Sequence, residues 1–171
     1  EIYTLSLHDA LPIFGRMGRS KIDIVADERG APVFAGSYRF EYGRAIRVWK
    51  GPDGAIFALG AMIQPTLAAA RLLAERGIEV SVWSVSCPLE VDRAALEEGC
   101  ATGHVLTVED HHAGSGMGSL MALEMMRLGL SARFEALGVT RYGDSGTAAD
   151  VYAAMGLNAE GIAQAFGRLR G

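Results

Sequence analysis

The side chains and glycines that could do chemistry are densest in the segment E-D-H-H-A-G-S-G-M-G-S, residues 109–119. Carboxylates and imidazoles exchange protons or bind metals, and glycines let backbone N–H groups approach an anion at a helix N-terminus. Gly114, Gly116 and Gly118 give the spacing G-x-G-x-G, and Ser119 stands where a dinucleotide-binding fingerprint has its third glycine. The spacing therefore argues against a nucleotide site.

Two acids and two histidines, at 109–112, stand before these glycines, where the two carboxylates would oppose a pyrophosphate. Adjacent residues point in different directions, so four in a row rarely converge on one metal ion. No second cluster of ligands is evident in the sequence, so a metal site is also disfavoured. We favour a tight strand-to-helix turn whose side chains cap backbone groups, with an anion site or a subunit interface as alternatives. The residues of this candidate site are Glu109, His111, His112, Gly114, Gly116 and Gly118.

The serines and cysteines give weak support for nucleophilic catalysis. No serine stands in a G-x-S-x-G elbow, and Cys87 precedes Pro88 at the end of a predicted strand, which is typical of a packed thiol. Cys87 and Cys100 form no C-x-x-C pair. We expect both thiols to be buried and reduced in a cytoplasmic protein.

The chain has 171 residues, of which 50% are hydrophobic and 21% are charged, and its net charge is −4. This composition excludes a disordered chain, and the length allows one domain with its own core. The acidic balance argues against nucleic-acid binding, and no apolar run is long enough to cross a membrane. Residues 15–50 nevertheless hold eight Lys and Arg against four Asp and Glu, so this segment could face an anionic small molecule.

The elements that must position the candidate site begin at Gly43, where short apolar runs start to alternate with helical patterns. Strands are predicted at 44–48, 55–59, 80–85, 104–108 and 133–137, and helices at 61–76, 92–98, 118–128, 148–155 and 159–169. This alternation predicts the α/β class, as a three-layer sandwich with a mostly parallel five-stranded sheet and one antiparallel edge strand.

Local signals set the predicted boundaries of these elements. The sequence G-P-D-G at 51–54 predicts a hairpin turn between the first two strands, which would make the edge strand antiparallel. Asp92 predicts a helix N-cap, and Gly77, Gly99 and Gly129 predict helix ends.

The first 42 residues have a different character from the rest. Residues 1–14, E-I-Y-T-L-S-L-H-D-A-L-P-I-F, resemble a translated sequencing adapter, and we expect this segment to be non-native and outside the fold. Residues 15–42 have no periodic run of apolar residues and are rich in turn-forming residues. The sequence D-E-R-G-A-P at 27–32 predicts a turn. Only short extended pieces are predicted here, at 22–25 and 38–42.

Several stretches in order resemble the C-terminal third of transketolase and its thiamine-diphosphate-dependent relatives. They are G-R-M-G-R-S-K at 15–21, the segment 42–85, S-C-P-L-E-V-D-R-A-A-L at 86–96, V-E-D-H-H-A-G-S-G-M-G-S-L-M-A at 108–122, and G-D-S-G-T-A-A-D-V-Y-A-A-M-G-L-N-A-E-G-I at 143–162. The last stretch is more similar to transketolase than to the beta subunits of 2-oxo acid dehydrogenases.

This resemblance implies a domain division and an activity. Residues 15–42 would be the remnant of a pyrimidine-binding domain plus a linker, and residues 43–171 the C-terminal α/β domain. The complete enzyme would transfer two-carbon ketol units between phosphorylated sugars, using thiamine diphosphate and Mg²⁺, as a homodimer or with a partner subunit that supplies the upstream domains. Arg19 lies where the family places an arginine on the sugar phosphate, a role that suits a guanidinium.

The sequence also departs from the family pattern. The metal–diphosphate motif G-D-G followed by Asn is not found in it, nor is the segment with the glutamate that activates thiamine. We therefore expect no catalytic residue in this chain, and neither activity nor cofactor binding from it alone. Two alternatives stay open. One is the same domain of a 2-oxo acid dehydrogenase beta subunit or of a deoxyxylulose phosphate synthase. The other is a stand-alone ligand-binding or dimerisation module.

Overall fold

The structure is a computed structural model that describes residues 22–143 and 145–171. The adapter-like segment 1–14 and the candidate phosphate-binding residue Arg19 lie outside the described residues.

One sheet runs through the described part of the chain, with helices on both of its faces. Its strands are β1 (Ala45–Trp49), β2 (Ala55–Leu59), β3 (Ser81–Val85), β4 (His104–His112) and β5 (Arg133–Val139). The helices are α1 (Ile63–Ala74), α2 (Arg93–Ala101), α3 (Met117–Leu128), α4 (Ala148–Ala154) and α5 (Ala159–Arg170), and a short 3-10 turn, Gly60–Met62, precedes α1. No helix among the described residues is long and apolar enough to cross a membrane.

The strands are ordered β1-β3-β2-β4-β5, and only β1 is antiparallel to its neighbour. Every residue of the central strand β2 is buried. Ile56 and Ala58 face a core formed with α1 and α5, whereas Phe57 and Leu59 face a second core formed with α2 and α3. The predicted three-layer sandwich, with its mostly parallel sheet and antiparallel edge strand, is therefore confirmed.

The hairpin predicted at 51–54 is wrong, because β3 lies between β1 and β2. Asp53 N donates to the carbonyl oxygen of Glu79 at 2.8 Å, and Asp53 Oδ2 accepts from Glu79 N at 2.7 Å. A Cβ on Gly51 would overlap the backbone of Glu79 and Val80. The segment thus crosses the start of β3, and β1 pairs with β3 in the register Ala45 to Val85.

The predicted helix ends are mostly confirmed, with one correction. Gly77 and Gly129 follow α1 and α3 with φ of +73° and +66°, a conformation that favours glycine. Gly99 does not end α2 but is buried inside it, because the ring of Phe57 packs where a side chain would be. The helix continues to Ala101.

Residues 22–42 form no strand, and their only ladder contact is an isolated bridge between Ala26 and Pro32. The extended pieces predicted at 22–25 and 38–42 thus form no strand, whereas the turn at 27–32 is confirmed. Asp27 Oδ1 accepts from Arg29 N and Ala31 N, both at 2.9 Å, as expected for an aspartate that closes a turn. One side of the segment, including Val33, packs against the core.

The crossing at Gly51 predicts a steric effect on stability. Gly51→Ala is expected to lower the free energy of unfolding by about 2 kcal/mol or more, since its methyl group meets backbone that cannot rotate away. Gly167→Ala is the matched control, because Gly167 lies in α5 with nothing near its Cβ position. It should raise stability by about 0.5–1 kcal/mol. Urea unfolding of both variants measures this, and equal effects would contradict the packing described.

Candidate functional site

The candidate segment lies at the carboxyl end of β4, where neighbouring parallel strands also end. β4 continues to His112, which pairs with Val139 of β5 after a shift in register. The strand predicted to end at residue 108 is therefore four residues longer. Consequently the acids and histidines lie on the strand itself, and only 113–116 form the turn into α3.

Glu109 is 1% exposed and binds the first turn of α3. Met117 N donates to its Oε2 at 2.7 Å, and Gly118 N donates to its Oε1 at 2.9 Å. The N-cap residue Gly116 has no side chain for this task. A carboxylate at a helix N-terminus is stabilised by the unpaired N–H groups and by the helix dipole. Glu109 therefore caps α3 from the strand.

The glycines of the turn make room for this internal carboxylate. A Cβ on Gly116 would overlap Glu109 Oε2, and one on Gly118 would lie 2.7 Å from the Cβ of Ala136. Gly114 is less confined, because its Cβ would meet only the His112 ring, at 3.0 Å. Two N–H groups that an external anion would need are thus already bonded to Glu109. This geometry agrees with the strand-to-helix turn and does not favour the anion site.

Asp110 contacts both its sequence neighbour His111 and the helix α4. His111 Nδ1 lies 3.1 Å from Asp110 Oδ1, and Tyr152 Oη of α4 donates to Asp110 Oδ2 at 3.3 Å. Burial, and then the Asp110 charge, raise the pKa of Tyr152. The contact is suited to holding α4 against the sheet, since a protonated phenol is the form that donates.

His112 is exposed and forms a weak local pair with Ser115, whose Oγ lies 3.4 Å from Nδ1. A nucleophilic serine needs a base that a third group orients. The nearby carboxylate of Asp110 is engaged by His111 and Tyr152 instead. Ser119 Oγ donates to the carbonyl oxygen of Ala113 at 2.9 Å and so closes the turn. These contacts are structural, and the structure does not assemble them into a catalytic group.

The two cysteines and the possible metal ligands form no further reactive site among the described residues. Cys87 and Cys100 are free and buried, as predicted, and burial raises the pKa of the Cys100 thiol. Within 22–143 and 145–171, no group of three or more His, Cys, Asp or Glu side chains could hold a metal ion.

The predicted cap Asp92 does more than the sequence indicated. Its Oδ1 accepts from Ala95 N in the first turn of α2 at 3.2 Å, as an N-cap does. Its Oδ2 accepts from Ala45 N of β1 at 3.0 Å, and Arg44 lies 3.2 Å from Oδ1. One side chain therefore fixes both the helix and the edge strand, and only the second role is non-local.

The structure has a further polar cluster, between α2 and α3, that the sequence pattern did not predict. Glu124 of α3 is 7% exposed and lies 2.7 Å from Arg93 Nε of α2 and 3.4 Å from an Nη of Arg127. The i, i+3 spacing of Glu124 and Arg127 was a usable signal. Nothing local pointed to Arg93, which is 31 positions away in the chain.

Comparison with known proteins places this architecture in a family. The family model described as transketolase, C-terminal domain, matches residues 43–162. The 1-deoxy-D-xylulose-5-phosphate synthase of Magnetococcus marinus is 33% identical over 135 residues, which cover 77% of this chain and 22% of that protein. The same enzyme of Symbiobacterium thermophilum is 32% identical over 166 residues, covering 95% and 24%. The chain spans about a fifth of the length of the curated relatives it matches.

Solved structures give the same fold. A split-gene transketolase, in an inactive beta4 tetramer, matches with a TM-score of 0.75 and 30% identity over 81% of this chain and 46% of that one. A transketolase of Campylobacter jejuni matches with a TM-score of 0.56 and 19% identity over 78% of this chain and 20% of that one. The second likeness shows the fold alone.

The Glu109 cap predicts a coupled effect of two substitutions. Glu109→Ala should lower the free energy of unfolding by about 3 kcal/mol or more, since two charge-assisted hydrogen bonds are lost. Gly116→Ala should cost about 1–3 kcal/mol in the native background, where its methyl displaces the carboxylate. It should cost less in the Glu109→Ala background, with a coupling of about 0.5–3 kcal/mol in a double-mutant cycle.

The matched control for this cycle is Gly114→Ala, whose methyl would meet only the exposed His112 ring. Its effect should be the same with and without Glu109. Additivity of Glu109→Ala and Gly116→Ala would show that the glycine does not make room for the carboxylate.

Proposed function

The chain belongs to the transketolase C-terminal domain family, as its motifs predicted, and we propose that it is the C-terminal domain of an enzyme that transfers two-carbon ketol units between phosphorylated sugars. The observation that carries this proposal is the family match over residues 43–162, which includes every strand and α1–α4 in full. The split-gene transketolase, at 30% identity, supports the same choice of activity.

A second candidate function is favoured by the curated relatives. Several proteins that are 33–35% identical to this chain are named 1-deoxy-D-xylulose-5-phosphate synthase. The parent enzyme would then be a related thiamine enzyme whose product is a phosphorylated sugar. Both candidates belong to enzymes that share this last domain, so the choice between them depends on the upstream domains.

Thiamine diphosphate, held with Mg²⁺, supplies the carbanion chemistry in this proposal. The described residues do not fit a site for either group, since they include no metal-binding cluster and the α3 amides are bonded to Glu109. The parent would hold its cofactor on other domains, and this chain alone would be inactive and would not bind it.

The assembly follows from the same proposal. The chain would act with upstream domains or a partner subunit, and would self-associate as a homodimer in the cytoplasm. The neighbouring split-gene transketolase chain forms a tetramer, which supports self-association of domains of this kind. Neither nucleic acid nor a membrane is a partner in this proposal.

Domain exchange tests the proposed activity. Residues 43–171 are grafted in place of the last domain of a transketolase and, separately, of a deoxyxylulose phosphate synthase. We expect the transketolase chimera to keep its kcat/KM for ketol transfer within about tenfold of its parent. The synthase chimera should lose a larger part of its own kcat/KM, because a last domain that packs less well on the upstream domains weakens transition-state stabilisation. Calorimetric binding of thiamine diphosphate checks that each chimera is assembled. The reverse order of activities would favour the second candidate.

Arg19 carries a separate prediction in a transketolase chimera that includes residues 15–171. Arg19→Ala should lower kcat/KM for phosphorylated sugars about ten- to hundredfold, because a charge-assisted phosphate contact is worth about 1.5–3 kcal/mol. Unphosphorylated acceptors should lose little. Arg16→Ala is the matched control, and a selective loss with that variant would assign the phosphate to Arg16. Equal losses for both kinds of acceptor would give Arg19 a structural role.

A further inference from the structure

Residues 22–42 contain no strand, but side-chain and backbone contacts hold them against the domain. Val25 and Val33 pack against the core formed with α1 and α5, and Val33 N donates to the carbonyl oxygen of Val25 at 2.9 Å. Glu28 accepts a hydrogen bond from Lys50 N, directly after β1. We call residues 22–42 the strap. Its middle part is thus fixed to the domain at several points.

Among the described residues, the upstream end of the strap is held by the side chain of Gln64. Gln64 Nε2 donates to the carbonyl oxygen of Asp23 at 2.8 Å. The neighbours of Asp23 do not hold this end through their own side chains, since Ile22 is 57% and Ile24 is 76% exposed. The hydrogen bond from Gln64 therefore anchors the upstream end of the strap.

Gln64 lies at the edge of the sheet where ligands bind in open α/β folds. It is the second residue of α1, and the short turn Gly60–Met62 joins α1 to the carboxyl end of β2. The carboxyl end of β4, with residues 109–112, lies at the same edge, because β2 and β4 are parallel. Ligands of open α/β sheets bind outside the carboxyl ends of the strands. The strap thus starts at the edge that generally faces a ligand.

The sequence directly before the strap is cationic. Residues 15–21 hold Arg16, Arg19 and Lys21 and no acid, whereas the whole chain has a net charge of −4. An extended chain spans at most about 3.6 Å per residue, so the four residues from Asp23 back to Arg19 reach at most about 14 Å. A fixed Asp23 therefore limits how far this cationic segment can move from the carboxyl edge.

We propose that Gln64 is a positioning residue for the arginine that binds the sugar phosphate. It does not touch the substrate. By holding the Asp23 carbonyl it keeps the cationic segment at the carboxyl edge, where a guanidinium has less freedom to lose when phosphate binds. The hydrogen bond can favour this arrangement only by its own free energy, which corresponds to about a two- to tenfold effect on affinity. The inference rests on the proposed function and adds to it a residue of α1.

Hydrogen exchange of the 171-residue chain tests the anchor without cofactor or substrate. Gln64→Leu nearly keeps the side-chain size and the helix propensity but removes the N–H donor. Amides of residues 22–33 should exchange about two- to tenfold faster in this variant, because a strap without its anchor opens more often. Gln164→Leu is the matched control, since Gln164 is exposed on α5 and its side chain forms no hydrogen bond with the described residues. It should leave the exchange rates unchanged.

Kinetics of the transketolase chimera with residues 15–171 test the role in phosphate binding. Gln64→Leu should raise KM for phosphorylated sugars about two- to tenfold and leave KM for unphosphorylated acceptors unchanged. In the background of Arg19→Ala, or of Arg16→Ala if that variant shows the selective loss, Gln64→Leu should have no further effect. A merely structural role of Gln64 would lower activity with both kinds of acceptor and would add to the effect of the arginine substitution.

Two results would overturn the positioning role while leaving the proposed function intact. One is exchange of residues 22–33 that is the same in Gln64→Leu as in the native chain. The other is an effect of Gln64→Leu on kinetics that is equal for both kinds of acceptor or additive with the arginine substitution. A chimera in which neither Arg19→Ala nor Arg16→Ala acts selectively on phosphorylated sugars would overturn the phosphate contact itself, and the positioning role with it.

Discussion

The hydrogen bonds of Glu109 to the first turn of α3 are the constraint on which the candidate site depends. The carboxylate joins a buried strand to a helix that starts eight residues later, and it supplies the cap that Gly116 cannot. Its position requires glycine at 116 and 118, because any larger residue would overlap the carboxylate or the strands beneath. The local sequence, which resembles a ligand-binding turn, is thus explained by an internal contact.

This constraint also shapes what the domain can do. With its amides bonded internally, the carboxyl end of β4 presents structural contacts of Asp110, Ser115 and Ser119 rather than a reaction centre. In the proposed function, a domain of this kind would contribute to the enzyme through its surfaces. Exposed large apolar side chains lie in the loop before α2 (Leu89), on α3 (Leu123 and Met126) and on residues 22–42 (Ile24 and Phe40). This agrees with membership of a family in which relatives are several times longer than this chain.

The parts of the fold that depend on sequence neighbours were predictable. Asp92 caps α2 through the amide three positions later, and Gly77 and Gly129 adopt positive φ after α1 and α3. The alternation of apolar runs with helical patterns was sufficient for the α/β sandwich and its five strands. The motifs, taken in their order along the chain, were sufficient to predict the family. In each case the pattern lies within a few residues, where the chain's own geometry brings the groups together.

The tertiary structure alone decided the contacts between distant segments. The insertion of β3 between β1 and β2 turned an expected hairpin into a crossing, because the segment 51–54 bonds to Glu79 rather than to itself. Gly99 stays inside α2 because the Phe57 ring covers it, and Glu124 pairs with Arg93 across two helices. Turn and helix signals specify what the backbone can do locally. Which strand pairs with which, and which carboxylate caps which helix, is settled when the sheet and both helix layers pack together, since only burial in that arrangement makes those bonds necessary.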